Sequence, residues 1–245
     1  MKRLLLLLTL PSLLVFQGCK DDPIDLNIQF FLTYGDEPLV MLQDYTYPDG
    51  RLMRISRVSF YLSDVAVSTK DGNHEITDVA FLDLTNSHAT AESAARGYQY
   101  YSETLEIENP ESLRFNVGLT NEQNSTSPAD YTSDHPLSLT GEYWTGWQSY
   151  IYVKVQGMID LDNDGEPETG MALHLGSEPI LRTMELNFPD DSGSMDVVID
   201  IKQFFEGDSI FDIDSSPQIH SLEQIEAAVE LIDNFCEAMS VRAPQ

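Results

Sequence analysis

Period-2 alternation of apolar residues is the feature that most constrains this chain. Successive side chains of a strand point to opposite faces, so an apolar residue at every second position marks a strand with one buried face. Leu26, Ile28 and Phe30 alternate in DLNIQFFLT. Asp49-Gly50 marks a turn between YTYP and the long stretch RLMRISRVSFYLSDVAVST, and Asp71-Gly72-Asn73 marks another before HEITDVAFLDL. Further strand candidates are YSETLEI, SLRFNVGLT, YIYVKVQGMIDL, MALHLG, ILRTMELNF and MDVVIDIKQFF. In the third of these, Ile151, Val153 and Val155 share one face, and Tyr150, Tyr152 and Lys154 share the other. About nine or ten strands with turns between them predict a mainly β chain built as an antiparallel β-sandwich.

The period changes near the C-terminus. In SLEQIEAAVELIDNFCEAMSV, the residues Leu222, Ile225, Val229, Ile232, Cys236 and Met239 follow a helical stripe, and Ser221 with Gln224 reads as a capping box. One amphipathic helix is therefore expected to pack on the sandwich. ATAESAARGY reads equally as a short helix or a loop.

The first residues read as a leader rather than as part of the fold. Lys2 and Arg3 precede an apolar stretch from Leu4 to Phe16, too short to span a membrane with flanks, and Gly18-Cys19 closes it. The segment resembles a bacterial lipoprotein signal, with residues 1–18 removed and Cys19 lipidated. Residues 19–24 then form a tether and 25–245 a single domain. Lys20-Asp21-Asp22 reads either as an export tag or as a plain acidic tether. The expected location is the outer membrane, on its periplasmic or cell-surface face, with the lipid on Cys19 as the membrane contact. Cys236 is then unpaired, within a helical pattern.

The formal net charge is −28, and about −30 without Lys2 and Arg3. Such a body repels nucleic acid and anionic lipid and suits a cationic partner. Nucleophile elbows, phosphate loops, dinucleotide fingerprints, zincin helices and paired-cysteine motifs are all missing from the sequence. The expectation is a binding protein rather than an enzyme.

Three local features carry chemistry. Both tryptophans, Trp144 and Trp147, lie in DHPLSLTGEYWTGW. They suit core packing, a sugar platform or the neighbourhood of a metal. The histidines are scattered, so a histidine site needs the fold to assemble it. His174, opposite in phase to Met171, Leu173 and Leu175, faces either solvent or a polar pocket. In DLDNDGEPE, Asp160, Asp162 and Asp164 alternate ahead of Gly165, like the first half of a calcium loop. Met171 stands where that loop has its bidentate glutamate, so Glu166 or Glu168 is the substitute, and an acidic turn is the plainer reading.

Taken in order, VSFYLSDVAV, RFNVGLTNEQN, HPLSLTGEYWTGWQSYIYVKVQG, MALHLG and LIDNFCEAM cover most of the chain. Together they resemble the MbnP-like family of exported copper-binding proteins. That resemblance implies copper held with histidine, a tryptophan open to oxidation, and a di-haem peroxidase-like enzyme as the partner that oxidises it. His135 and His174 match the family histidines, and Trp144 and Trp147 match the tryptophan pair. His220, ahead of the C-terminal helix, is a further possible member. Three departures stand out: Trp-Thr-Gly-Trp has one residue more than the family's Trp-x-Trp, Glu142 occupies a position where methionine is usual, and Ser149-Tyr150 replaces Gly-Tyr. An inserted residue flips a strand's side chains unless a bulge absorbs it, and Gly146 is the candidate bulge.

Two functions of different classes follow. One is a lipid-anchored copper-binding protein that captures or delivers metal. The other is a calcium-stabilised surface-binding or adhesion module without copper. A fold that persists with its site lost is the third reading.

Overall fold

The computed structural model describes residues 23–244. The leader, Cys19 and Lys20-Asp21-Asp22 lie outside the described residues.

The strands are β1 (Ile24–Tyr34), β2 (Glu37–Pro38), β3 (Asp44–Thr46), β4 (Leu52–Thr69), β5 (Gly72–Asp83), β6 (Tyr98–Leu105), β7 (Ser112–Val117), β8 (Tyr143–Trp144), β9 (Ser149–Ile159), β10 (Thr169–Gly176), β11 (Arg182–Asn187), β12 (Ser194–Asp200), β13 (Gln218–Ile219) and β14 (Met239–Arg242). The helices are α1 (Ala91–Arg96), α2 (Asn121–Asn124), α3 (Ile201–Glu206) and α4 (Ile225–Glu237). They form a mainly β, sandwich-like fold of two facing sheets.

The smaller sheet runs β14-β12-β1, with β6 and then β2 along the other edge of β1. The larger sheet is organised by β4. β3 and β5 pair along one of its edges. Along the other edge β9 pairs with Met53–Phe60 and β7 with Leu62–Ser68. The sheet therefore forks at Tyr61–Leu62, one prong continuing through β9, β10 and β13 and the other through β7 and β11. Gly118 sits at the crotch, where its N–H donates to the Tyr61 carbonyl at 2.9 Å. Its φ is +106°, and a Cβ there would lie 2.4 Å from the Tyr152 ring.

Helix α4 packs on β10 and β11, one strand from each prong, and Arg182 of β11 meets Asp233 of α4 at 2.5 Å. Phe60 of β4 contacts Phe30 of β1 and Phe235 of α4, with ring centroids 5.8 and 5.4 Å apart. The two sheets and the helix thus share one apolar cluster. Each such ring contributes roughly 1.5–3 kcal/mol by burial. His88 is wholly buried and pins the connection after β5: its Nε2 accepts from the Leu32 N–H at 2.9 Å, and its Nδ1 lies 3.0 Å from the Leu84 carbonyl. Burial lowers its pKa.

The structure corrects three expectations. The sheets are mixed rather than antiparallel throughout, because β1–β12 and β10–β13 are parallel pairs. The apolar run MDVVIDIKQFF changes form halfway: Asp200 accepts from the Lys202 N–H at 2.9 Å and so caps α3. The C-terminal helix ends at Glu237, and Met239–Arg242 return as β14 against β12. At its start Gln224 reaches back to the N–H of His220 at 3.0 Å, and Ser221 makes no side-chain cap. ATAESAARGY contains a helix, α1, capped by Thr90.

Candidate metal centre

The outer face of the larger sheet carries polar side chains, and the connection between β7 and β9 covers it. Tyr61 and Tyr150 donate from that face to the carbonyls of Pro136 and Leu137 in the cover, at 3.1 and 2.8 Å. Pairing aligns Ser59 with Lys154 and Lys154 with His174. In the parallel pair Leu173 aligns with Ile219, which sets His220 beside His174 on the same face. The two imidazole centroids are 4.8 Å apart.

Trp144 completes the group from the cover. Its ring stacks on His220 at 4.9 Å with an interplanar angle of 18°, and it meets His174 edge-on at 6.0 Å. Trp147 lies 5.9 Å from Trp144. A Cβ at Gly176 would come within 3.1 Å of the Trp147 ring, so the bare glycine backbone is what the indole rests on. Both indoles are half-buried. The extra residue between them lies in a hairpin turn, not within a strand. Tyr143 and Trp144 pair with Tyr150 and Ser149, and the Trp147 N–H donates to the Trp144 carbonyl at 3.1 Å. No strand face is flipped, and Gly146 is a turn residue rather than a bulge.

His174 is 7 % exposed. Burial pushes its pKa down to about 3, helped by the nearby positive charges of Lys154 and Arg57. Burial also lowers His220. Both rings are therefore neutral near pH 7. The His174 Nε2 lies 2.8 Å from the Gln156 amide. Its Nδ1 is buried without a hydrogen-bond partner, and so is the Nε2 of His220. An unpaired buried nitrogen costs about 1–3 kcal/mol, and the two rings that carry these nitrogens have centroids 4.8 Å apart. Neutral imidazoles with one nitrogen each unspent are what a transition-metal ion requires. The residues present therefore fit a metal.

Glu142 is not a free donor for it. Buried on the cover, it meets Lys154 at 2.7 Å and Arg57 at 2.9 Å, and Lys154 also donates to the Gly141 carbonyl at 2.9 Å. The charge cluster clamps the cover to the sheet beside the two histidines.

The other candidate residues lie apart from this group. His135 stacks on Tyr131 at 4.1 Å, and its Nδ1 accepts from the Leu137 N–H at 3.1 Å. Among the described residues the ring contacts of His174 are with Trp144 and His220, not with His135. One carboxylate oxygen from each of Asp160, Asp162, Asp164 and Glu168 lies within 4.8 Å of the others, a grouping that could hold a metal and that omits Glu166. Asp160 is buried and accepts from the Asp164 and Gly165 N–H groups at 3.1 and 2.8 Å. Desolvation and the charges of Asp162 and Asp164 raise the Glu168 pKa. Met171 points into the core.

The MbnP family profile matches residues 23–221 of the chain. Among solved structures the fold is similar to MbnP from Methylosinus trichosporium, with a TM-score of 0.53 and 14% identity, covering 77% of this chain and 80% of that one. No curated protein sequence matches it significantly.

Proposed function

This chain belongs to the MbnP family, and on that premise we propose that it is an exported metal-carrying protein whose cargo is copper. The observation that carries the reading is the buried pair His174 and His220, each with an unpartnered ring nitrogen. Imidazole nitrogen suits copper, and neutral rings bind it without first losing a proton. The second histidine of the site is then His220 in place of His135. Trp144, stacked on His220, is the indole that an oxidising partner of the di-haem peroxidase class would modify, adding a donor beside the ion. The strongly acidic surface favours the approach of cations. The protein captures or hands over metal rather than catalysing a reaction. A lipid on Cys19 would hold it at the outer membrane; among the described residues no helix is long and apolar enough to cross one.

Elemental analysis and intact mass of protein from its native host test this. Stoichiometric copper, lost in His174→Ala and in His220→Ala, supports the reading. Copper content unchanged by both substitutions overturns it. A mass increase mapped to Trp144 supports the indole chemistry, and an unmodified Trp144 in copper-loaded protein removes it.

The acidic group at Asp160–Glu168 favours a second reading in addition, calcium held by Asp160, Asp162, Asp164 and Glu168. Hard carboxylate oxygens suit that ion. A calcium-stabilised surface-binding module is the function that remains if the histidine pair takes no copper.

A further inference from the structure

We infer that Gln156 sets which nitrogen of His174 faces the site, and so controls whether the ring can accept a metal ion. The inference rests on the metal reading of His174 and His220. Gln156 lies on β9, on the same outer face as Lys154. Its cross-strand partner on β10 is Ala172, whose small side chain leaves the path to His174 clear. As placed, the NH2 end of the amide stands 2.8 Å from the His174 Nε2, and the ring's other nitrogen, Nδ1, has no partner.

A neutral imidazole carries one N–H and one lone pair, and a glutamine amide offers a donor at one end and an acceptor at the other. A half-turn of the amide exchanges the ends. With the carbonyl toward the ring, Nε2 must donate, and Nδ1 keeps its lone pair for a metal. With the NH2 toward the ring, Nε2 accepts, and Nδ1 carries a buried proton that meets no acceptor. Only the first arrangement binds metal. Arg57, the neighbour of Gln156 on β4, is engaged by Asp83 and Glu142. The amide is therefore left to the imidazole.

The test compares wild type, Gln156→Glu and Gln156→Leu. A carboxylate can only accept, so the first variant fixes His174 as protonated on Nε2, and the second removes the partner. Long-range proton–nitrogen correlation spectra of the metal-free, nitrogen-15-labelled proteins at mildly alkaline pH read the tautomer directly. Competition between the protein and a chelator for copper ions reads affinity. The expected result is an Nε2–H ring with wild-type or tighter binding in Gln156→Glu. In Gln156→Leu a mixed tautomer and a loss of about 10–100-fold are expected, as for other outer-shell partners. The same tautomer and affinity in all three proteins would overturn the inference while leaving the metal reading intact, provided His174→Ala still loses copper. Unchanged affinity in His174→Ala overturns the metal reading instead, and the metal-free spectra still decide what Gln156 does to the ring. If Gln156→Leu does not fold, a Gln156→Glu spectrum showing His174 protonated on Nδ1 is enough to reject the inference.

Discussion

His174 and His220 stand side by side because two strands run parallel, β10 and the two-residue β13. Their rings, 4.8 Å apart, are contributed by segments far apart in the chain. Trp144 reaches them from a third segment, the cover over the sheet.

Loss of either imidazole should be more damaging than loss of any neighbour. His174→Ala and His220→Ala are each expected to weaken copper binding by more than the 10–100-fold typical of outer-shell changes. His135→Ala is expected to leave it within a few-fold. Chelator competition on the three purified variants checks this ranking.

The Glu142 clamp gives a stability prediction. Glu142→Ala leaves Lys154 buried without its anion, and breaking a buried pair costs about 3–5 kcal/mol. Replacing both residues with methionine removes the stranded charge and should recover most of that loss. Urea unfolding of the single and double variants measures both steps.

Acid should destabilise the metal-free protein before its carboxylates titrate. His88 and His174 are both depressed by burial, so the folded state binds their protons less readily than the unfolded state. Their contribution is complete above about pH 6.5 and fades as pH falls below it. For His174 the loss continues down to about 3. The His174 ring alone gives a slope of about 1.4 kcal/mol per pH unit in that window, and His88 acts in the same direction. Unfolding free energies should be level between pH 7 and 8 and fall steadily from 6.5 toward 5.

Calcium should raise the melting temperature. At a free concentration of 100 times Kd, one site adds about 2.7 kcal/mol, or roughly 5–10 °C for a domain of this size. Asp162→Asn with Glu168→Gln should abolish the rise without altering copper binding. Calorimetry with and without a calcium chelator decides it.

The β-rich class was legible because alternation is local. Each strand advertises its buried face within a few residues, and the turns at Asp49-Gly50 and Asp71-Gly72 are equally local. Parallel pairing was not legible, since nothing within β1 or β12 specifies its partner. The same reason hid His220. β13 is too short to show a period, and it abuts a helix. A signal was nevertheless present: Ala172-Leu173-His174 and Gln218-Ile219-His220 share one pattern, a buried aliphatic between two outward positions. The aspartate spacing brought four acidic groups together because the loop that holds them is continuous. The end of α4 was misread because Met239 continues the helical stripe, while pairing with β12 draws it into a strand.

β1 lies in the interior of its sheet, with β6 along one edge and β12 along the other. The first of the described strands thus has a flank that stays open until residues 194–200 have been synthesised. A fold closed by such distant pairings has a high contact order and assembles slowly. During that interval the backbone N–H and C=O groups on that flank of β1 form an unpaired edge, beside the apolar face of Leu26, Ile28 and Phe30, which is when a holding chaperone would be of most use to this chain.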